Sequence, residues 1–83
     1  MVLKDLSQLR NFIAENDVTA YITEASGLFG GYHLIFLSGK YKFGLSTQKR
    51  NDRTFSLRLF RTVETALTVL RKLGIKGKVN LML

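Results

Sequence analysis

Cysteine is absent from this 83-residue chain, so it can build neither a disulfide framework nor thiolate chemistry. Long apolar runs are absent as well. The longest, residues 34–37, falls far short of the roughly 20 residues a transmembrane helix needs, and no membrane partner is expected. Met1, Leu3, Lys4 and Asp5 do not form the basic stretch and long apolar run of a secretory leader, which makes a cytoplasmic location the expectation. Histidine occurs once, as His33, with no patterned carboxylate or nucleophile beside it, so it reads as a residue on a sheet surface. With no paired carboxylates, no nucleophile with a base and no metal-ligand cluster, the expectation is a non-enzyme without cofactors.

Acidic residues are also few, and their scarcity is local. Residues 1–39 hold Lys4 and Arg10 against Asp5, Glu15, Asp17 and Glu24, a net of −2. Residues 40–83 hold eleven cations against Asp52 and Glu64, so the overall charge of +7 arises entirely there. A basic excess confined to one half is the footprint of a surface that meets a polyanion. The chain is short enough to be one domain spanning residues 1–83 with a small core, and a homodimer would add to its stability.

Most of the basic excess lies in residues 40–61, which read as a cationic β-hairpin. Tyr41, Phe43 and Leu45 alternate with Lys40, Lys42, Gly44 and Ser46; beyond a polar loop, Phe55, Leu57 and Leu59 alternate with Thr54, Ser56 and Arg58. Each strand is thus expected to have one dry and one wet face. The loop between them carries Lys49, Arg50 and Arg53, and Arg61 closes the segment.

Around this hairpin, Leu3, Leu6, Leu9, Phe12 and Ile13 recur at helical spacing and predict a helix over residues 3–15, closed by a left-handed Asn16. Val18, Ala20 and Ile22 alternate with Thr19, Tyr21 and Thr23 in a strand over 18–25. The glycine-rich stretch 26–31 resembles a phosphate loop in composition. It is followed by Tyr32, His33, Leu34, Ile35 and Phe36, a strand, where a phosphate loop would open a helix, so it reads as a hairpin turn. Leu28 and Phe29 at its tip are expected to fold back onto the core. The strand 32–37 is apolar on both faces, which places it mid-sheet. Thr62 caps a second helix whose Val63, Ala66, Leu67, Leu70 and Leu73 share one face, with Gly74 beyond its end. Val79, Leu81 and Leu83 predict a short final edge strand that pairs with the sheet or with another copy.

The fold class is therefore α+β: helix, four-stranded antiparallel sheet, helix and short C-terminal strand, with both helices on one face. The opposite face is expected to show Thr19, Tyr21, Thr23, Lys40, Lys42, Ser46, Ser56 and Arg58. Such hydroxyls and cations suit phosphate oxygens, and Tyr21 suits base stacking. The expected function is nucleic-acid binding, DNA ahead of RNA, through Lys40, Lys42, Lys49, Arg50, Arg53, Arg58, Arg61 and Tyr21. The alternative is an interaction or inhibitor module whose basic face docks on an acidic protein. A three-stranded sheet leading through residues 57–62 into a helix containing Ala66 resembles the arm-site-binding domains of tyrosine recombinases, which implies a sheet that reads duplex DNA. Four strands followed by a helix resemble the whirly-type single-strand binders. The first helix and last strand depart from both patterns.

Overall fold

The N-terminal helix starts later than its apolar spacing predicts, because Asp5 forms a capping box with Gln8. The Asp5 carboxylate accepts from the Gln8 N–H at 2.8 Å, and the Gln8 side chain accepts from the Asp5 N–H at 3.0 Å. In the computed structural model, which describes residues 2–25, 30–47, 57–77 and 79–82, this box separates strand β1 (Val2–Lys4) from helix α1 (Leu6–Glu15). Residues 2–4 are thus strand and not the first turn of a helix. Asn16 ends α1 in an extended conformation (φ −137°), not a left-handed one, and its side-chain amide donates to the Phe12 carbonyl at 3.0 Å.

The remaining elements are β2 (Thr19–Glu24), β3 (Tyr32–Ser38), β4 (Tyr41–Leu45), α2 (Val63–Leu73) and β5 (Asn80–Met82). They form a five-stranded mixed sheet in the order β1-β4-β3-β2-β5, with β3 at its centre. β2, β3 and β4 are an antiparallel meander, whereas β1 runs parallel to β4 and β5 parallel to β2. The expected all-antiparallel four-stranded sheet is therefore corrected at both edges. Two crossovers, β1 to β2 through α1 and β4 to β5 through α2, join parallel strands and run across the sheet in the same sense. Right-handed connections of this kind place both helices on one face, as the spacing of their apolar residues requires.

That face is the core. Ala20, Ile22, Leu34, Phe36, Phe43 and Leu45 are buried beneath Leu9 of α1 and Ala66, Val69, Leu70 and Leu73 of α2. Phe12 packs edge-on against Phe43 at 4.8 Å between ring centres. The cap residues of α2 are those its sequence predicts: the Thr62 hydroxyl accepts from the Thr65 N–H, and Gly74 is left-handed at φ 99°. No helix among the described residues is long and apolar enough to cross a membrane.

The largest departure concerns the second half of the basic hairpin. Among the described residues, 57–60 do not form a strand: Leu57 bridges Ser46 and Phe60 bridges Tyr32, so the segment spans from the end of β4 to the start of β3. The Arg58 N–H donates to the Leu45 carbonyl at 2.8 Å, while Tyr32 and Phe60 exchange two 2.8 Å bonds. Phe60 is buried and Leu59 is 48% exposed, the reverse of the expected alternation. A one-residue change of register moves each side chain to the other face, and here it carries Arg58 with it. The resemblance to a sheet feeding directly into a helix is lost for the same reason. Residues 54–56, like Leu28 and Phe29, lie outside the described residues.

Candidate nucleic-acid interface

Of the residues expected to contact phosphate, Lys40 stands exposed in the tight turn between β3 and β4, beside a left-handed Gly39 (φ 58°). Lys42 is exposed on β4, paired with Leu37, and points to the face away from the helices. Tyr21 is on that same face, half-buried between Ile35 of β3 and Asn80 of β5. Thr19 and Thr23 accompany it, as alternation from Ala20 and Ile22 dictates. Ser46, expected to be wet, is buried, and its N–H donates to the Lys4 carbonyl at 3.0 Å.

Arg58 and Arg61 are exposed at the other end of the sheet. The Arg58 guanidinium sits 4.9 Å from the centre of the Phe60 ring, which faces the helices. Lys42 and Arg58 therefore do not share a face, which corrects the expected cationic surface. Arg61 borders an open hollow with Gly30, Gly31 and Leu59. Lys49, Arg50 and Arg53 lie outside the described residues.

The topology instead brings a different set of cations to the Lys40 end. α2 starts beside the β3 entry and runs back across the sheet, so its C-terminal turn and the following residues arrive at the end that holds the β3–β4 turn. Lys72 and Lys76 are exposed there. Arg71 belongs to the same group, but its guanidinium is occupied: it donates to the Ile75 and Gly77 carbonyls, both at 3.0 Å, and so holds the turn after α2. This agrees with the helix-end role its position implies. Glu15 and Asp17 reach the same end from α1, which tempers its potential. Among the described residues, no lysine or arginine forms an ion pair with a carboxylate.

Sequence spacing alone did not link Lys40 and Lys42 to Lys72 and Lys76. The signal that would have done so is the direction of α2, which follows once β5 is read as parallel to β2. Tyr41, between the two lysines, is 60% exposed and stacks parallel to Phe43 at 6.3 Å. Lys4, by contrast, has its ammonium 5.0 Å from Phe43 and 5.7 Å from Phe12, where it serves the core edge. His33 is half-buried opposite Thr23, and no three His, Asp or Glu side chains converge among the described residues. No protein-family model, curated protein or solved structure matches this chain.

Proposed function

We propose that this protein binds nucleic acid through its phosphate backbone, using the sheet end that carries Lys40, Lys42, Lys72 and Lys76. The observation that supports this reading is that these four cations are exposed and have no carboxylate partner among the described residues. Unpaired exposed cations at one end of a chain of charge +7 gain most from a ligand that releases counterions. Tyr41, next to both Lys40 and Lys42 in sequence, adds an exposed ring on the opposite side of β4 from Lys42, a surface on which a base can stack.

The test is fluorescence anisotropy with matched single- and double-stranded DNA and RNA oligonucleotides at two salt concentrations. Dissociation constants on the order of 10⁻⁴ to 10⁻⁶ M that weaken steeply with salt are expected. Replacing Lys40 and Lys42 by alanine should flatten the salt slope by about one unit for each phosphate that is no longer neutralised, and so should replacing Lys72 and Lys76. Arg58→Ala should leave the slope unchanged, because its charge lies at the opposite end and over Phe60. Absence of binding at low salt would remove the proposal, and saturable binding to one acidic protein would replace it with the interaction-module reading.

A further inference from the structure

Along β4 the helix-facing residues are Tyr41, Phe43 and Leu45, of which Phe43 and Leu45 are buried while Tyr41 is largely exposed. The sheet edge explains the difference. β1 begins opposite Phe43, so among the described residues Tyr41 has a strand neighbour only in Ser38 of β3, and its ring stands at an open corner of the sheet. Its neighbours nonetheless orient that ring. It lies 17° from parallel to Phe43, and Phe43 is itself gripped by Phe12, edge-on to it, and by the Lys4 ammonium. A single exposed aromatic is ordinary on any surface. An oriented one at the same end as Lys40, Lys42, Lys72 and Lys76, all exposed, is a stacking platform with charge nearby to hold what lands on it.

We infer that the ligand of this end is single-stranded nucleic acid, one of whose bases stacks on Tyr41 while the neighbouring phosphates lie along the lysines. This rests on the phosphate-backbone reading above and narrows it. Two observations favour a single strand over a duplex. Bases in a duplex are already stacked on one another and present only their edges, so an exposed ring serves a base that is unpaired. The groups at this end also lie on different sides of the sheet: Lys42 points away from the helices, Tyr41 toward them, Lys40 sits at the turn between, and Lys72 and Lys76 follow from α2 on the helix side. Duplex DNA is stiff over about 150 base pairs, many times the 33 Å length of this molecule, and lies against one side of this end at a time, whereas a single strand bends around it. The carboxylates of Glu15 and Asp17, which reach the same end from α1, fit this arrangement. They repel a phosphate laid on the helix side but not an uncharged base.

A stacked base adds affinity without displacing a counterion, so Tyr41 and the lysines act on different observables. Loss of the ring lowers affinity at every salt concentration and leaves the salt slope unchanged, whereas loss of a lysine flattens the slope. The two readings can therefore fail separately.

The experiment compares three labelled probes by anisotropy at low and moderate salt: a short oligothymidine, an abasic oligomer of the same length, and a duplex of the same length. At the higher salt the intact chain should bind oligothymidine at least about fivefold more tightly than either of the others, the least that one stacked base supplies. Tyr41→Thr, which keeps a strand-forming residue at this exposed site, should remove that advantage with the salt slope unchanged, and Tyr41→Phe should retain it. Circular dichroism melts check that both variants stay folded, and the parent's own comparison of oligothymidine with the abasic oligomer holds whether or not they do. Equal affinity for those two probes, or a preference for the duplex, overturns the inference and leaves the phosphate-backbone reading in place. So does a loss on Tyr41→Thr that is as large for the abasic oligomer as for oligothymidine. Failure of all three probes to bind at low salt removes both readings.

Discussion

Two adjacent glycines offer a sharp test of how residues 57–60 close the sheet. Both Gly30 and Gly31 have positive φ, +64° and +103°, so an alanine at either position carries the strain of a left-handed backbone, about 1–2 kcal/mol. Their surroundings differ. Among the described residues, a Cβ at Gly30 meets nothing within 4 Å, whereas one at Gly31 would lie 2.8 Å from the Phe60 carbonyl oxygen and 2.9 Å from Leu59 Cδ1. That oxygen cannot easily retreat, because it accepts the 2.8 Å bond from the Tyr32 N–H that fixes the segment to β3. Overpacking of this kind adds about 1–3 kcal/mol, for a total near 2–5 kcal/mol at Gly31. At Gly30 the smaller entropy of the unfolded alanine chain offsets part of the strain and leaves about 1 kcal/mol. With about 4–8 °C per kcal/mol for a domain of this size, Gly31→Ala should lower Tm by about 10 °C or more, and Gly30→Ala by about half that or less. Thermal melts followed by circular dichroism decide it. If Gly31→Ala melts no lower than Gly30→Ala, Phe60 does not pair with Tyr32 as described.

Leu70 and Leu67 share the apolar stripe of α2, but Leu70 is fully buried and Leu67 only half, so Leu70→Ala should cost about 2–5 kcal/mol and Leu67→Ala clearly less; equal urea midpoints would refute the packing. Asp5→Ala removes the carboxylate that caps the Gln8 N–H and should cost about 1 kcal/mol, read from the same urea curves, with no loss expected if α1 began at Leu3. Arg71→Met removes two charge-assisted bonds to carbonyls and should destabilise by about 1–2 kcal/mol. Lys72→Met, at an exposed site without a carboxylate partner among the described residues, should stay within about 0.5 kcal/mol of the parent while weakening oligonucleotide binding.

Where a stretch satisfied its own requirements locally, its sequence was readable. α2 shows this best, because Thr62, the Ala66-Leu70-Leu73 stripe and Gly74 are a cap, a face and a stop that need no other part of the chain. The central place of β3 followed from its two apolar faces. What escaped was decided at a distance. Leu3 fits a helical stripe as well as a strand, and it is the Asp5–Gln8 box together with the free edge of β4 that draws residues 2–4 into the sheet. Residues 57–60 alternate well enough to suggest a strand in either register, but the demand of Tyr32 for a backbone partner beside Gly31 selects the register that buries Phe60. The candidate interface suffered accordingly. Lys40 and Lys42 lie where their hairpin turn put them, Arg58 went to the other face with the register, and the approach of Lys72 and Lys76 depended on a crossover that local spacing cannot reveal.

The two parallel edge strands also set an order of events in time. β2, β3 and β4 pair with near neighbours in the chain, but Val2 must find Phe43, 41 residues later, and Tyr21 must find Asn80, 59 residues later. Closing loops of that length costs chain entropy before any ladder bond repays it, so the meander is placed to form first and the outer strands to zip on once the helices have crossed. Three residues make each outer strand, and those of β5 are all exposed, so the same strands have the least to lose in opening. The backbone amides of Ile22 and Phe36 should then exchange with solvent only through global unfolding, while those of Leu3 and Leu81 exchange through a fraying that leaves the rest of the molecule folded.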